Sequence, residues 1–418
     1  MGMPIFDINT RWTRDVYPEL GTDPVPVEPC ISPEYFALEQ ERIFRKVWLY
    51  VGRVEQIPNW GDYFVREIAG QAVLFVRGRG DAIRGFHNIC AHRGNKIVWD
   101  HDGSCRWFTC KFHGWTFDTE GSLKGVPDEE MFDNLNKSAH GLIPVATEVW
   151  EGFIFANLDP HPKETLAEFL GEYGQRMSGF PYGDMTTCFS YRTELHCNWK
   201  IALDAFSEAY HVDFVHKRSF PGQFSGKRNP LSHLPEVRLY PYHRSCIVYR
   251  NPDFQPPPVA ALTAKYRTSP LTQLATMQTG TELPPDVNPT RSPNFAFELT
   301  GVFPNLLLHI TLGSWFTHQF WPIAVDKTIW EGRLYSYPPK NAAELFALQW
   351  NNVMARNAWL EDTGTMEATH AALAPGVKTH FVLQDQEVLI RHSYKVLEDF
   401  VGFYAEGRGA GTNGGRQK

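Results

Sequence analysis

The sequence predicts an α+β protein in which an all-β unit is followed by a larger unit of mixed strands and helices. Three observations predict it. From Gly61 to about Pro160 the chain runs in short β-rich stretches divided by Gly and Asp. From about residue 185 strand-like and helical stretches mix, and two long helical runs close the sequence, at about 341–373 and 384–402. The length of 418 residues suits two or three folding units of roughly 150 residues each.

The elements follow in order. Residues 34–48 (EYFALEQERIFRKVW) predict an amphipathic helix with Phe36, Leu38, Ile43 and Trp48 on one side. The β-rich runs are YFVREI, AVLFVR, AIRGFHNI, RWFTC, WTFD and GFIFANL. Residues 163–176 predict a helix after a linker, NLDPHP, and residues 199–218 predict a mostly helical stretch. Strand-like runs recur at 236–250, 295–312, 315–324 and 328–337. The Pro-rich polar run 252–293 is a lid or a long surface insertion, since loops of this length are often functional or disordered. The Gly-rich tail EGRGAGTNGGRQK is expected to be disordered. No internal repeat is present.

Composition excludes several function classes. Net charge is -7 and no basic block exists, so no nucleic-acid surface is expected. No run of roughly 18 uncharged apolar residues occurs, so no membrane span is expected. The start, MGMPIFDINTRWTRD, has charges where a secretory leader needs an apolar core, and a cytoplasmic protein is expected. Seven cysteines are few and odd in number, which speaks against a disulfide scaffold and for metal or redox chemistry wherever Cys clusters with His. Aromatics at 14% imply a large core, an aromatic-lined cavity, or both.

The stretch HNICAHRGN…CRWFTCKFHGWTF contains such a cluster. Cys90 and His92 are one residue apart, Cys110 and His113 are two apart, and 17 residues separate His92 from Cys110. Each half offers one thiolate and one imidazole on a tight loop. A structural zinc site usually pairs two cysteines on one loop and two histidines on another element. Here the pattern suits a two-iron cluster with both Cys on one iron and both His on the other, the neutral imidazoles raising its potential. The plain alternatives are a zinc site or four unrelated core residues. His87, His101 and Cys105 match no ligand position.

A second group lies in NWKIALDAFSEAYHVDFVH. On one helix Asp204, Glu208 and His211 would share a face, and His216 would stand about 140° further round, so the helix must tighten or distort for both imidazoles to meet one metal. Two His and one carboxylate form the facial set of non-haem Fe(II), which leaves positions open for O₂ and substrate. His309, His318 and His370 have no such partners; they line a pocket or, on the plainer reading, are packed or surface histidines. Phe206, Tyr210 and Phe214 fall at helical spacing, as core or as substrate wall. Phe295, Phe297, Trp315, Phe316, Phe320 and Trp321 alternate as in strands, without revealing which face a cavity.

The first motif, C-x-H-x17-C-x2-H, resembles that of the Rieske [2Fe–2S] domain, and the second resembles the carboxylate-x2-H-x4-H of the Rieske non-haem iron aromatic-ring-hydroxylating oxygenases, alpha subunit. The resemblance covers about residues 34–402. It implies a Rieske domain at 46–160 and a catalytic helix-grip (START-like) domain at 161–405, with a curved antiparallel sheet on a long C-terminal helix. An N-terminal segment, 1–45, would pack on the catalytic domain, and 406–418 would be the tail. It implies that Cys90, His92, Cys110 and His113 hold the cluster. His211, His216 and a distant acid, Asp362 in WLEDTGTMEATH, would hold a mononuclear Fe(II), with Glu361, Glu367 and Asp385 as competing carboxylates.

Glu208 stands where most members carry an aspartate linking an iron histidine to a cluster histidine of the neighbouring subunit. Glutamate there resembles the members that oxidise quaternary-ammonium compounds. Asp204 takes the upstream acid position, followed by Ala205 where many members have asparagine. The resemblance further implies a trimer or α3β3 assembly, and electrons from a separate NAD(P)H-dependent reductase, with or without a ferredoxin. No G-x-G-x-x-G follows a strand, and Gly-Arg-Gly at 78–80 reads as a turn. The function expected is a terminal oxygenase hydroxylating an apolar or aromatic small molecule with O₂. The alternatives are C–N cleavage or demethylation of a quaternary-ammonium or methylamine compound, and an electron carrier without oxygenase activity.

Overall fold

The computed structural model describes residues 8–266 and 283–409. The end of the Gly-rich tail and the middle of the 252–293 run lie outside the described residues. The chain forms two compact units, Gln40–Gly171 and Met1–Glu39 with Glu172–Lys418. Both breaks fall in helical segments, near rather than at the expected 45/46 and 160/161. The helix Pro33–Glu39 runs into a π-helical turn, Gln40–Phe44, so Trp48 lies beyond the helix that was to carry it. The helix Leu166–Met177 is interrupted at Gly171, whose φ of 51° and ψ of -137° no helix accommodates.

The first unit is all-β. Its seven-stranded antiparallel sheet has the order Leu49–Arg53, Phe153–Asn157, Pro144–Trp150, Ile83–His87, Gln71–Arg77, Asp62–Ile68 and Asp102–Ser104. Gln71–Arg77 has neighbours on both edges, and its apolar centre, Val73 to Val76, is fully buried. The Gly78–Gly80 stretch is the turn out of that strand, with Gly80 at φ 65°. A small sheet, Trp107–Thr109, Thr116–Asp118 and Leu123–Gly125, completes the unit. Leu74, Phe86, Trp115, Phe117 and Leu142 form one apolar core, which includes Cys90 and Cys110.

The second unit has one seven-stranded antiparallel sheet. Its order is Thr187–Leu195, Lys327–Ser336, Ser314–Ala324, Leu306–Ile310, Phe295–Val302, Arg244–Tyr249 and Glu236–Leu239. Register places Leu299 opposite His309, His309 opposite Phe316, and Phe316 opposite Leu334, so these four side chains share one face. The 32-residue helix Ala342–Leu373 starts at Asn341, whose side chain accepts the N–H groups of Ala343 and Glu344. The helix Val388–Val401 buries one apolar side, including Val388, Leu389, Val396 and Leu397. Strands and closing helices thus follow the sequence pattern.

The 199–218 stretch does not. The helix Trp199–Ala205 stops, and only one further turn, Val212–Val215, is helical. Local polar groups compete with the helical ladder. Ser207 Oγ donates to Leu203 O at 2.8 Å, and the Glu208 carboxylate takes the His211 N–H at 3.1 Å. The aromatics expected at helical spacing therefore separate. Phe206 is buried, whereas Tyr210 and Phe214 are 42% and 58% exposed and contact each other, so they are neither core nor cavity wall.

Candidate metal centres and substrate cavity

Two loops of the all-β unit carry Cys90, His92, Cys110 and His113, and they repeat one design. Cys90 N donates to Asn95 O and Cys110 N to Trp115 O, both at 2.8 Å; Gly94 N donates to Cys90 O and Gly114 N to Cys110 O, both at 3.0 Å. The closures require Gly94 and Gly114 at φ +76° and +73°. Asn88 stiffens the first loop, its Oδ1 accepting from Ile97 N and Val98 N at 2.9 and 3.0 Å. The His92 and His113 rings lie 4.6 Å apart, and Trp115 stacks flat on His92 at 5.0 Å.

Burial pushes the Cys90 thiol up, against the N–H groups of His92 and Arg93. At Cys110 burial acts in the same sense, but the N–H of Phe112, the Asn95 amide and the N–H of His113 outweigh it and hold the thiol below its usual value. Backbone donors aimed at sulfur are what a cluster thiolate needs. His92 Nδ1 is buried with no partner among the described residues. Two sulfurs, two adjoining imidazoles and an orphaned ring nitrogen fit a [2Fe–2S] cluster with mixed ligands.

In the second unit His211, His216 and Asp362 converge, their facing atoms all within 4.8 Å of one another. His211 and His216 present Nε2 atoms 3.3 Å apart. Asp362 Oδ1 stands 3.7 Å from the first and 3.4 Å from the second. The short helix Val212–Val215 explains the spacing, because His211 is its N-cap and His216 its C-cap. Each ring is held from behind: Glu208 Oε1 meets His211 Nδ1, and Glu361 Oε2 lies 3.0 Å from His216 Nδ1. A carboxylate on Nδ1 sets that nitrogen as the N–H and turns the Nε2 lone pair inward.

Asp362 is 1% exposed, and its Oδ2 has no partner among the described residues. Burial pushes its carboxyl up to about 7, although His211 opposes this. His211 is depressed by burial yet raised overall by its bond to Glu208 and the charges of Glu208 and Asp362. His216 is lowered, by burial first. Three acceptors facing one another, His216 and Asp362 buried and His211 partly so, are costly unless a cation lies between them. Two imidazoles and one carboxylate fit Fe(II) and leave coordination positions open.

The other candidates are used elsewhere. Glu361 is not a rival for the metal side but the support of His216. Glu367 Oε1 accepts from His196 N at 2.9 Å, and Asp385 Oδ1 from Thr13 N at 3.1 Å. Asp204 does not share a helix face with Glu208 and His211, because the helix ends at Ala205. Its Oδ2 accepts from Tyr394 Oη at 3.0 Å, and burial pushes its carboxyl up to about 7. Asp204 and Glu208 both line a smaller cavity of about 200 Å³, with Thr365 and Glu387.

A cavity of about 470 Å³ opens on the His211, His216 and Asp362 group. Its walls include Phe206, Phe224, Phe297, Phe316, Trp350 and Trp359. Of the alternating aromatics, Phe297 and Phe316 therefore face it. His309 and His318 also line it and are 4% and 0% exposed, whereas His370 accepts from Asn198 N at 3.4 Å, apart from the cavity. The sequence offered Glu361 only as a rival metal ligand, and for this histidine pair packing or surface exposure was the plainer reading. The available signal was the strand alternation of His309, Phe316 and His318, which marks one face without saying what lies over it.

Comparison with known proteins identifies both domain types in the chain. The family described as ring hydroxylating alpha subunit (catalytic domain) matches residues 183–402, and the Rieske [2Fe-2S] domain matches residues 47–138. The carnitine monooxygenase oxygenase subunit of Escherichia coli (strain K12) is 31% identical over 193 residues, 46% of this chain and 52% of that protein. The biphenyl 2,3-dioxygenase subunit alpha of Rhodococcus jostii (strain RHA1) is 36% identical over 194 residues, 44% of this chain and 42% of that protein. The alignments thus span about half of these relatives' length. Among solved structures, naphthalene 1,2-dioxygenase from Rhodococcus sp. bound to indole superposes with a TM-score of 0.73 at 23% identity, covering 91% of this chain and 94% of that one. A quaternary ammonium Rieske monooxygenase in complex with an inhibitor gives 0.70 at 18%, covering 90% and 95%. At these identities the likeness is one of fold.

Proposed function

The chain belongs to the ring hydroxylating alpha subunits and carries a Rieske [2Fe-2S] domain, and from that premise we propose that it is the terminal oxygenase of a multicomponent system that hydroxylates an apolar or aromatic small molecule with O₂. The observation that carries the reading is the convergence of His211, His216 and Asp362 beside an aromatic-walled cavity of about 470 Å³. A bare electron carrier has no use for such a cavity.

In this reading Cys90, His92, Cys110 and His113 hold the cluster, and His211, His216 and Asp362 hold the mononuclear iron. When bound, the cluster stores an electron and the single Fe(II) binds and activates O₂. The protein's own part is positional. Glu208 and Glu361 fix the ring orientation of the two iron histidines, and Phe206, Phe297, Phe316 and Trp359 hold a flat substrate and exclude water. Glu208 is also the candidate link to a cluster histidine of a neighbouring subunit, with Asp204 as a supporting acid behind it. We propose a trimeric or α3β3 assembly in the cytoplasm, refilled by a separate NAD(P)H-dependent reductase, with or without a ferredoxin. No helix among the described residues is long and apolar enough to cross a membrane.

A second reading, C–N cleavage or demethylation of a quaternary-ammonium or methylamine compound, is favoured by Glu208 and by the carnitine monooxygenase relatives. The deciding experiment is substrate-dependent O₂ uptake with a surrogate reductase, followed by product mass. A mass gain of oxygen on an aromatic probe supports hydroxylation, and release of an aldehyde or amine supports cleavage. Two irons per chain instead of three, with no O₂ uptake, overturns both.

A further inference from the structure

His309 and His318 line the cavity and belong to neither iron centre. Their rings lie 5.3 Å apart and nearly perpendicular, at 87°. Each is fixed by a flat stacking partner: His309 on Phe316 at 4.4 Å, and His318 on Phe206 at 4.3 Å. Trp330 Nε1 lies 3.1 Å from His318 Nδ1. An indole N–H only donates, so Nδ1 must be the acceptor, and the proton of a neutral His318 is on Nε2. Burial first, then His309, holds His318 well below its usual range, and burial alone lowers His309 to about 3, so both rings are neutral.

The consequence is an unmet donor. His318 Nε2 is buried with no hydrogen-bond partner among the described residues, and so are both ring nitrogens of His309. The pair therefore brings two N–H donors and one acceptor to the lining of a cavity whose other neutral polar groups include Gln223, Thr311, Ser314 and Asn351. A buried donor left unmade keeps its full desolvation cost, and a hydrogen-bond acceptor on the substrate removes that cost. Charge points the same way. The carboxylates lining the cavity, Glu208 and Asp362, both face His211. The cations lining it, Arg218 and Arg250, have no side-chain partner among the described residues.

We propose that His309 and His318 form a polar subsite that orients the substrate, and that the substrate class is an aromatic compound bearing an oxygen acceptor, a carboxylate or a carbonyl. This rests on the oxygenase reading above and narrows it away from quaternary ammonium compounds. The subsite holds the substituent while the ring lies along Phe297 and Phe316. His309 and His318 are positioning residues, since neither reaches the reacting atoms through its own chemistry.

The test is anaerobic equilibrium binding to the iron-loaded protein, read by calorimetry, with toluene, acetophenone, benzoate and tetramethylammonium as probes. Acetophenone should bind roughly 10-fold tighter than toluene, and benzoate roughly 10–100-fold tighter if the acceptor is anionic, because hydrogen bonds to charged groups are stronger. His318→Leu and His309→Phe should each erase most of that preference while leaving toluene binding in place. His309→Phe leaves the Trp330 contact intact, so a folding defect in His318→Leu does not blunt the test. Benzoate above acetophenone assigns an acid, and the reverse assigns a neutral carbonyl. Equal binding of toluene and both oxygenated probes, tighter binding of tetramethylammonium, or an unchanged preference in both variants overturns the proposal. Histidine-dependent binding without O₂ uptake on any probe removes the oxygenase reading instead and leaves the subsite standing.

Discussion

At the scale of single residues the proposed iron site turns on adjacent carboxylates with opposite duties. Asp362 faces both Nε2 atoms, and Glu361 supports the Nδ1 of His216. Asp362→Ala should lower the iron count from three to two per chain while the visible cluster spectrum is retained; loss of neither metal reassigns the ligand. Glu361→Gln should keep the cluster and weaken mononuclear iron binding or turnover by roughly 10–100-fold, the usual cost of removing a group that orients a metal-binding histidine. Iron titration of the metal-depleted protein checks it, and wild-type affinity with wild-type rate removes the supporting role. Glu208→Gln should keep both metals and turn over slowly, since a glutamine still reaches His211 but carries no charge. Full turnover there would remove the link proposed for Glu208.

At the scale of elements the cluster loops depend on two glycines that differ in their surroundings. Both have positive φ, where an L side chain costs roughly 1–2 kcal/mol. A Cβ on Gly114 would also meet Pro127 Cγ at 3.1 Å, whereas one on Gly94 meets only Ile89 at 3.7 Å. Gly114→Ala should therefore lose more cluster absorbance per chain than Gly94→Ala, and the reverse order would overturn the loop argument. In the second unit the helices Pro33–Glu39 and Trp199–Ala205 are joined by a buried ion pair, Lys200 Nζ to Glu39 Oε1 at 2.6 Å, with Trp199 Nε1 on the same carboxylate. Glu39→Ala strands a buried ammonium and should destabilise this unit by about 3–5 kcal/mol, while Glu39→Leu with Lys200→Met should recover most of it. Thermal unfolding of the three proteins decides this, and equal Tm values for the single and double variants would refute it.

The helical stretch 199–218 shows how far local pattern reaches. Its apolar spacing is helical, yet the Ser207 hydroxyl and the Glu208 carboxylate end the ladder, and that break brings His211 and His216 to one point. The expectation that the helix must distort was legible from the five-residue spacing. Which polar groups distort it was not, because side-chain competition for backbone groups depends on the fold around them.

At the scale of the whole molecule the chain is two units with one candidate centre in each. Cluster and mononuclear iron should come apart chemically: a chelator applied to the reduced protein should remove one iron of three without bleaching the visible bands. Simultaneous loss of both would overturn the separation. Sedimentation should show a particle of three chains or a multiple built on three, and a monomer at working concentration would remove the proposed trimer.

The amino-acid order already brought forward Cys90, His92, Cys110, His113, His211 and His216 as ligand candidates, and it set out the strands and closing helices. The candidates stand at spacings of two to five residues within each group, with a 17-residue gap between the two cluster halves, and the elements rest on side-chain periodicity set by local geometry. Asp362, 146 positions beyond His216, was reached by resemblance and not by spacing. The packed fold alone sets Glu361 behind His216, turns Asp204 to Tyr394, and leaves His318 Nε2 and both His309 ring nitrogens in the cavity lining without a partner among the described residues. Those outcomes depend on strand register and helix packing, which join residues far apart in the chain through contacts that no local pattern encodes.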